Sequence, residues 1–151
     1  MVAFEGLGGY GEEPAIRSVR TGRERWLVIL WDSGIESQVD LAGQCAVFPA
    51  LASLRGDDAL FHSAAVGEGG HCVRWRKGIE VSGATLWRLA LEQGAAWLRA
   101  WRKGRGLTQV EGAIALGVSP RMWRYYESGT HLLPKTVRLA ALGLDLMPGA
   151  A

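Results

Sequence analysis

The sequence predicts an α+β N-terminal domain, an antiparallel sheet of about four strands with short helices, followed by an all-α C-terminal domain of four to five helices. Three observations support this prediction. Short runs rich in Val, Ile, Leu and Trp alternate with turn residues in the first half. Apolar residues recur at helical spacing in the second half. The charge changes sign near Gly94. We therefore place the two domains at residues 1–92 and 95–151.

The strands are predicted from short apolar segments that are bounded by turn signals. IRSVRT, RWLVILW and IESQVDL follow one another, separated by Gly22 and by Asp32-Ser33-Gly34. Glycine tolerates the positive φ of a tight hairpin, so a meander of antiparallel strands is expected. HCVRWRKG, after a GEGG turn, is predicted as the fourth strand. VFPALASL and DDALFHSAA, which lie between, are interpreted as short helices.

A longer amphipathic helix is predicted after Ser82, which is placed to cap it. Leu86, Leu89 and Ala90 share one face, so this helix can cover one side of the sheet. Gly94 is expected to end or bend it. Near the start of the chain, the run GLGGYG resembles a nucleotide-binding loop only superficially because no strand precedes it, and we interpret it as a loose lead-in.

Composition argues against several classes of protein. No apolar run approaches the roughly 20 residues that cross a bilayer, and the start lacks signal-peptide features, so a cytoplasmic protein without membrane association is expected. Cys45 and Cys72 form no CxxC pair, and His62, His71 and His131 show no recurring ligand spacing. Free thiols, no metal and no cofactor are expected. Without a nucleophile elbow or paired carboxylates, an enzyme is disfavoured.

Charge is divided unevenly along the chain. Residues 1–93 hold nine Lys or Arg against twelve Asp or Glu, whereas residues 94–151 hold eight against three. The densest basic cluster comprises Arg99, Arg102, Lys103 and Arg105. A basic segment favours a polyanionic partner, and a solvated basic helix face is the alternative interpretation.

Start signals divide the basic segment into short helices. Thr108 and Glu111 have the spacing of a capping box. Ser119 followed by Pro120 is an N-cap with proline at the first helical position. Gly117 lies between these signals and can adopt the positive φ of a tight turn. Two short helices joined by a three-residue turn form the arrangement that places one helix in the major groove of DNA.

The segment LTQVEGAIALGVSPRMWRYYESG resembles the phage-repressor (Cro/XRE-like) helix-turn-helix. Seven positions in register carry this resemblance: Arg102, Gln109, Ala113, Gly117, Val118, Ser119 and Glu127. It implies a lambda-repressor-like domain, close helix packing at Ala113 and a semi-buried ion pair between Arg102 and Glu127. The N-terminal part, through DSGIESQVDL and WRKGIEVSGATLW, resembles a bacterial family of unknown function, DUF-2442, which implies no activity.

Helical geometry divides the remaining side chains of this segment between a core and an outer surface. The predicted core residues are Trp101, Leu107, Leu116, Trp123, Tyr126 and Leu139. Arg121 could contact guanine O6 and N7 in a bidentate manner, with Met122, Arg124 and Tyr125 beside it. A solvated face is the alternative. The candidate DNA-binding residues are Gln109, Pro120, Arg121, Met122, Arg124, Tyr125, Ser128, His131 and Lys135.

The functional prediction is sequence-specific binding of double-stranded DNA by a bacterial transcriptional regulator. A homodimer is expected because one short helix reads few base pairs, and the N-terminal domain would serve dimerisation, sensing or an unknown protein partner. Two features favour an alternative, a protein-interaction or antitoxin-like module whose helix-turn-helix is structural. Gly112 should weaken its helix by up to ~1 kcal/mol, and Ile114 and Ala115 make the outer face of that helix unusually apolar.

Overall fold

The computed structural model describes residues 13–148, so the predicted lead-in with its GLGGYG run lies outside the described residues. Within this range the chain forms six β strands and six α helices, with three short 3-10 helices between them. The described residues group into two compact units that meet in sequence between Ala90 and Leu91. No helix in this range is long and apolar enough to cross a membrane.

The first three strands form one antiparallel sheet in chain order. They are β1 (Ile16–Thr21), β2 (Trp26–Trp31) and β3 (Glu36–Asp40). In the central strand, Leu27, Ile29 and Trp31 are fully buried and alternate with partly exposed neighbours. This alternation follows from the two-residue period of a strand and directs one face of the sheet into the core.

A second three-stranded antiparallel sheet follows a helical stretch. That stretch contains α1 (Ala42–Val47), a 3-10 helix (Pro49–Leu54) and α2 (Asp58–Phe61). The strands are β4 (Ala65–Val66), β5 (Cys72–Trp75) and β6 (Ile79–Ser82), in that order.

The predicted single sheet of about four strands is therefore wrong, because the strands belong to two separate three-stranded sheets. Sequence patterns missed β4 and β6. The first has two residues and the second has four, which is too short for a clear alternation. Between β5 and β6, Lys77 and Gly78 adopt φ values of 66° and 70°, which reverse the chain where the sequence suggested the end of a strand.

The helix α3 (Gly83–Gly104) is longer than predicted. It begins as expected, since Ser82 Oγ accepts a hydrogen bond from Thr85 N at 3.1 Å. Gly94 does not end the helix, contrary to the first of the two predicted outcomes. Gly94 is buried within it, and a Cβ there would lie 3.1 Å from Cβ of Leu133, so glycine permits close packing instead.

The continuity of α3 also corrects the predicted fold class of the C-terminal part. Because α3 begins at Gly83 and passes the Ala90–Leu91 boundary without a break, the structure does not show a self-contained all-α, lambda-repressor-like domain that begins at residue 95. The C-terminal unit is instead formed by the second part of α3 together with three further helices. These are α4 (Gln109–Leu116), α5 (Pro120–Glu127) and α6 (Lys135–Leu146).

The core of the C-terminal unit is centred on Trp123, which is fully buried. Ala113, Tyr126 and Val137 are buried with it, and Trp101 and Leu116 pack against it from partly exposed positions. The prediction that Leu139 belongs to this core is wrong, since it is 55% exposed. The reason is helical phase. Val137 and Ala141 form the buried face of α6, and a residue midway between them points elsewhere.

Gly112 is required by the size of Trp123. A Cβ at position 112 would lie 2.8 Å from Cζ2 and 3.0 Å from Cη2 of the buried indole, which has no room to move. The Trp123 ring therefore occupies the space that a side chain at position 112 would need.

We predict that Gly112→Ala destabilises the protein by about 1 to 2 kcal/mol, because overpacking against Trp123 outweighs the gain in helix propensity. Gly143→Ala is the matched control. That glycine lies in α6, and a Cβ added there would have no neighbouring atom within 4 Å, so alanine should stabilise by up to about 1 kcal/mol. Urea unfolding measures both changes, and equal stabilisation by the two substitutions would contradict the packing argument.

Candidate nucleic-acid interface

The start of α4 is fixed by the predicted capping box. Thr108 Oγ1 accepts a hydrogen bond from Glu111 N at 3.1 Å, and Glu111 Oε1 accepts one from Thr108 N at 2.9 Å. These hydrogen bonds hold the pKa of Glu111 below its ordinary value, and the bond from the Thr108 backbone has the largest effect. Two helix-start amides are thereby satisfied, and the carboxylate is occupied within its own turn.

The connection from α4 to α5 is the predicted three-residue turn. Gly117 adopts a φ of 70°, and Val118 N donates to Ala113 O at 2.9 Å. Ser119 Oγ then accepts a hydrogen bond from Met122 N at 3.1 Å, and Pro120 is the first residue of α5. Two helices of eight residues each are thus joined in a helix-turn-helix.

Glu127, at the last residue of α5, connects three helices although only 4% of it is exposed. Its carboxylate accepts hydrogen bonds from Arg102 Nε at 2.6 Å and Arg102 Nη2 at 3.0 Å. It also accepts from Gln109 Nε2 at 3.2 Å and from Trp123 Nε1. Its backbone oxygen accepts from Arg99 Nη2 at 2.7 Å. The ion pair between Arg102 and Glu127 that the resemblance implied is therefore present.

These contacts keep Glu127 ionised in spite of its burial. Burial by itself raises the pKa of the carboxyl group, but the hydrogen bonds from Arg102, Trp123 and Gln109 outweigh it and lower the pKa below the ordinary value. The hydrogen bond to Glu127 in turn raises the pKa of Arg102. We call this cluster of Glu127, Arg102, Gln109 and Trp123 the clamp. Arg102 also donates a hydrogen bond from Nη1 to Leu107 O at 3.0 Å, so all three of its side-chain nitrogens are hydrogen-bonded within the protein.

The outer face of α5 carries two exposed arginines. Trp123 and Tyr126 point into the core, which leaves Arg121 and Arg124 on the opposite side. Arg121 Nε donates a hydrogen bond to Tyr125 Oη at 3.0 Å, and its Cζ lies 5.6 Å from the centre of the Tyr125 ring. The side chain of Arg124 forms no hydrogen bond or ion pair within the described part of the chain.

Tyr125 is held from its other side by the segment that follows α5. Its ring stacks on the ring of His131, with centroids 4.7 Å apart and planes 18° apart. Its carbonyl oxygen accepts hydrogen bonds from Thr130 N at 3.0 Å and Ser128 Oγ at 3.1 Å. Ser128 Oγ also lies 2.7 Å from Thr130 Oγ1. Arg121, Tyr125 and His131 therefore form one continuous stack at the surface.

The other candidate residues occupy different environments. Pro120 and Lys135 are exposed at the first residues of α5 and α6. Met122 is partly buried and packs against the core cluster, so it offers less surface than the sequence suggested. Gln109 directs its amide nitrogen to Glu127 and not outward. The roles of all nine candidate residues in DNA binding stay predictions.

Sequence reasoning missed the hydrogen bond between Arg121 and Tyr125. The signal was available, because side chains four residues apart are neighbours on a helix surface. It also missed the contribution of Trp123 Nε1 to the clamp, since that residue was interpreted as packing only.

The outer face of α4 is apolar, as expected from its sequence. Ile114 is 74% exposed and Val110 is 49% exposed. Neither side chain contributes to the core of the C-terminal unit.

Fold and site together define a protein that carries a helix-turn-helix with an arginine-bearing outer face. No protein-family model matches the chain, and no curated protein matches it. A solved structure from Nitrosomonas europaea, named "putative DNA binding protein NE0471", is similar to it with a TM-score of 0.49 and 26% sequence identity. The similarity covers 87% of this chain and 86% of that one.

We predict that Glu127→Gln destabilises the protein by about 3 kcal/mol at neutral pH, because it leaves the Arg102 guanidinium without its counter-charge. The pKa of Glu127 is lower in the folded state than in the unfolded state, so its stabilisation is present above the ordinary value of 4.5 and is lost as the pH falls through the folded-state pKa. The stability difference between wild type and variant should therefore shrink in acid, as measured by urea unfolding across pH.

Asp145→Asn provides the control for this experiment. Asp145 is 41% exposed and accepts a hydrogen bond from Arg105 Nη1 at 2.6 Å. An ion pair with this exposure contributes up to about 1 kcal/mol, so its loss should be small by comparison. A loss at Asp145 equal to that at Glu127 would contradict the role of burial in the clamp.

Proposed function

We propose that this chain binds double-stranded DNA in a sequence-specific manner and acts as a cytoplasmic, non-enzymatic transcriptional regulator. The observation that carries this proposal is that α5 has one buried face and one exposed basic face. Trp123 and Tyr126 anchor it in the core, while Arg121 and Arg124 project from the opposite face. An exposed helix braced in this way suits insertion into the major groove.

Charge supports a polyanionic partner for this face. The segment from residue 94 onward holds eight basic and three acidic residues. All three acidic side chains are engaged within the protein, because Glu111 caps α4, Glu127 pairs with Arg102 and Asp145 pairs with Arg105. Two of the three negative charges are thus paired with arginines, which leaves the segment with a basic excess, and phosphate attraction supplies most of the affinity of non-specific DNA binding.

The two arginines are expected to have different tasks. The hydrogen bond to Tyr125 occupies Arg121 Nε and leaves both terminal nitrogens available. A guanidinium restrained in this way can donate to guanine O6 and N7 together. Among residues 13–148, no side chain restrains Arg124 in this way, and it suits contact with phosphates, which carries no sequence information. Tyr125, held by His131, would act as a positioning residue for Arg121.

Flanking residues would fix the register of the protein on the duplex. Ser128 and Lys135 are exposed near the two ends of the segment that joins α5 to α6, and Pro120 is exposed at the start of α5. Contacts of hydroxyl and ammonium groups with phosphate oxygens position a protein without selecting a sequence. Gln109 and His131 would act mainly by holding Glu127 and Tyr125 in place.

A homodimer is part of the proposal, because one helix of eight residues reads few base pairs. Selection of bound duplexes from a random pool tests both statements. Enrichment of a sequence with two symmetric half-sites is expected. Recovery of an unenriched pool, together with binding that is insensitive to salt, would overturn the proposal, since even non-specific binding to phosphates weakens steeply with salt.

A second candidate function is a protein-interaction or antitoxin-like module. The exposure of Ile114 and Val110 on α4 favours it. Ile114→Lys separates the two functions. It adds a positive charge on a surface that DNA binding does not use in our proposal, so duplex affinity should be kept or slightly increased. A protein-interaction surface would instead lose its partner.

We predict that Arg121→Ala lowers discrimination at one base position on the order of tenfold, whereas Arg124→Ala weakens all sequences alike. Both are measured by fluorescence anisotropy with the selected duplex and single-base variants. An unchanged base preference in Arg121→Ala would remove that residue from base reading.

Tyr125→Phe tests the positioning role. The substitution keeps the ring that stacks on His131 and removes only the hydroxyl that Arg121 contacts. Discrimination should fall at the same base position, and the effect should vanish when Arg121 is already Ala. An undiminished effect in the Arg121→Ala background would show that Tyr125 acts by itself.

A further inference from the structure

The N-terminal unit contains a cavity of about 420 Å³ whose lining is dominated by basic side chains. Its walls come from the loop between β1 and β2, from the end of the first 3-10 helix and from α2. The lining residues are Gly22, Arg23, Glu24, Arg25, Arg55, Asp58 and His62. Ligand sites commonly have volumes from about 300 to 1,000 Å³, so a small molecule would fit.

Arg25 holds these walls together. It is 9% exposed, and its guanidinium donates to Leu54 O at 2.5 Å and to Arg55 O at 2.8 Å. It also donates to Glu24 O at 2.8 Å and pairs with Asp58 Oδ1 at 2.8 Å. Arg25 thus links all three segments, and it neutralises Asp58. The backbone segments that form the cavity are therefore held together before a ligand binds.

The loop itself is also fixed. Gly22 N donates to Trp26 O at 2.8 Å, and Trp26 N donates to Arg23 O at 3.0 Å. Glu24 adopts a φ of 53°, which is uncommon for a residue other than glycine. These restraints hold the backbone that carries Arg23 in one conformation at the edge of the cavity.

Two guanidinium groups of the lining remain for a ligand. Arg23 and Arg55 are exposed, and no side-chain hydrogen bond or ion pair is formed by either within residues 13–148. His62 adds a ring whose Nδ1 lies 2.7 Å from Thr21 Oγ1, which fixes its orientation. The lining also contains two carboxylates. That of Asp58 is paired with Arg25, so the carboxylate of Glu24 is the one that would repel an anion.

We propose that this cavity binds a small oxyanion, a phosphate or carboxylate group, through Arg23 and Arg55. A planar guanidinium presents two parallel N–H donors that match the oxygens of either group. Arg25 acts as a scaffold and does not contact the ligand. The N-terminal unit would then have a ligand site of its own. This proposal does not depend on whether α5 binds DNA.

The test is titration of the full chain with inorganic phosphate and, separately, with succinate, at constant ionic strength. Binding is followed by amide chemical shifts in two-dimensional NMR spectra. Saturable shifts at residues 22–25, 55 and 62 are expected, with a dissociation constant of about 10 mM or lower. Comparison of the two titrations identifies which group the site prefers.

Three variants make the test specific. Arg23→Ala combined with Arg55→Ala should weaken binding on the order of tenfold or more, because charge-assisted hydrogen bonds are lost. Glu24→Gln should tighten binding, because it removes the opposing carboxylate. Arg74→Ala is the control, since Arg74 is exposed, pairs with Glu80 and does not line the cavity. It should leave binding unchanged.

Absence of saturable shifts with both anions would overturn the proposal. So would equal weakening in Arg74→Ala and in the double variant, which would indicate diffuse attraction to surface charge. If Arg23→Ala and Arg55→Ala reduce duplex affinity but not anion binding, these arginines belong to a DNA-contacting surface and the oxyanion site is refuted. None of these outcomes depends on base reading by Arg121.

Discussion

The buried carboxylate of Glu127 is the constraint on which the C-terminal unit depends. It receives hydrogen bonds from Arg102 on α3, Gln109 at the start of α4 and Trp123 within α5. Burial of a charge is costly unless it is paired and hydrogen-bonded, so these donors must converge for the unit to fold. The outer face of α5 is oriented as a consequence, because its inner face has no freedom to turn.

The space around Trp123 imposes a second constraint on the same helices. The indole fills the gap that Gly112 leaves in α4, and its nitrogen donates to the carboxylate four residues later. The Trp123 side chain therefore both fills space in the core and donates a hydrogen bond to the buried carboxylate of Glu127. This combination explains why α4 tolerates a residue with poor helix propensity, since the loss is offset by a close contact that no larger residue would permit.

Local signals in the sequence predicted the helix boundaries of the site well, whereas contacts between segments far apart in the chain were harder to infer from it. Thr108, Gly117 and Ser119 act within their own turns, so their roles could be inferred from spacing alone. The division of the strands into two sheets depends on pairing between segments, and β4 is too short to leave a periodic pattern. Leu139 was misjudged because the buried face of α6 passes through Val137 and Ala141, and Gly94 because its environment is set by Leu133, a distant neighbour in sequence. The convergence of Arg23, Arg25 and Arg55 on one cavity had no counterpart in the sequence pattern.

The uninterrupted helix α3 determines how this protein can be dissected. Its 22 residues correspond to about 33 Å of continuous helix, with residue 91 well inside it. A fragment that starts at residue 95 would expose an uncapped helix end and discard the Ser82 cap together with three turns of backbone hydrogen bonds. Fragments intended to isolate either part should therefore retain α3 whole, with the cut placed before Ser82 or after Gly104.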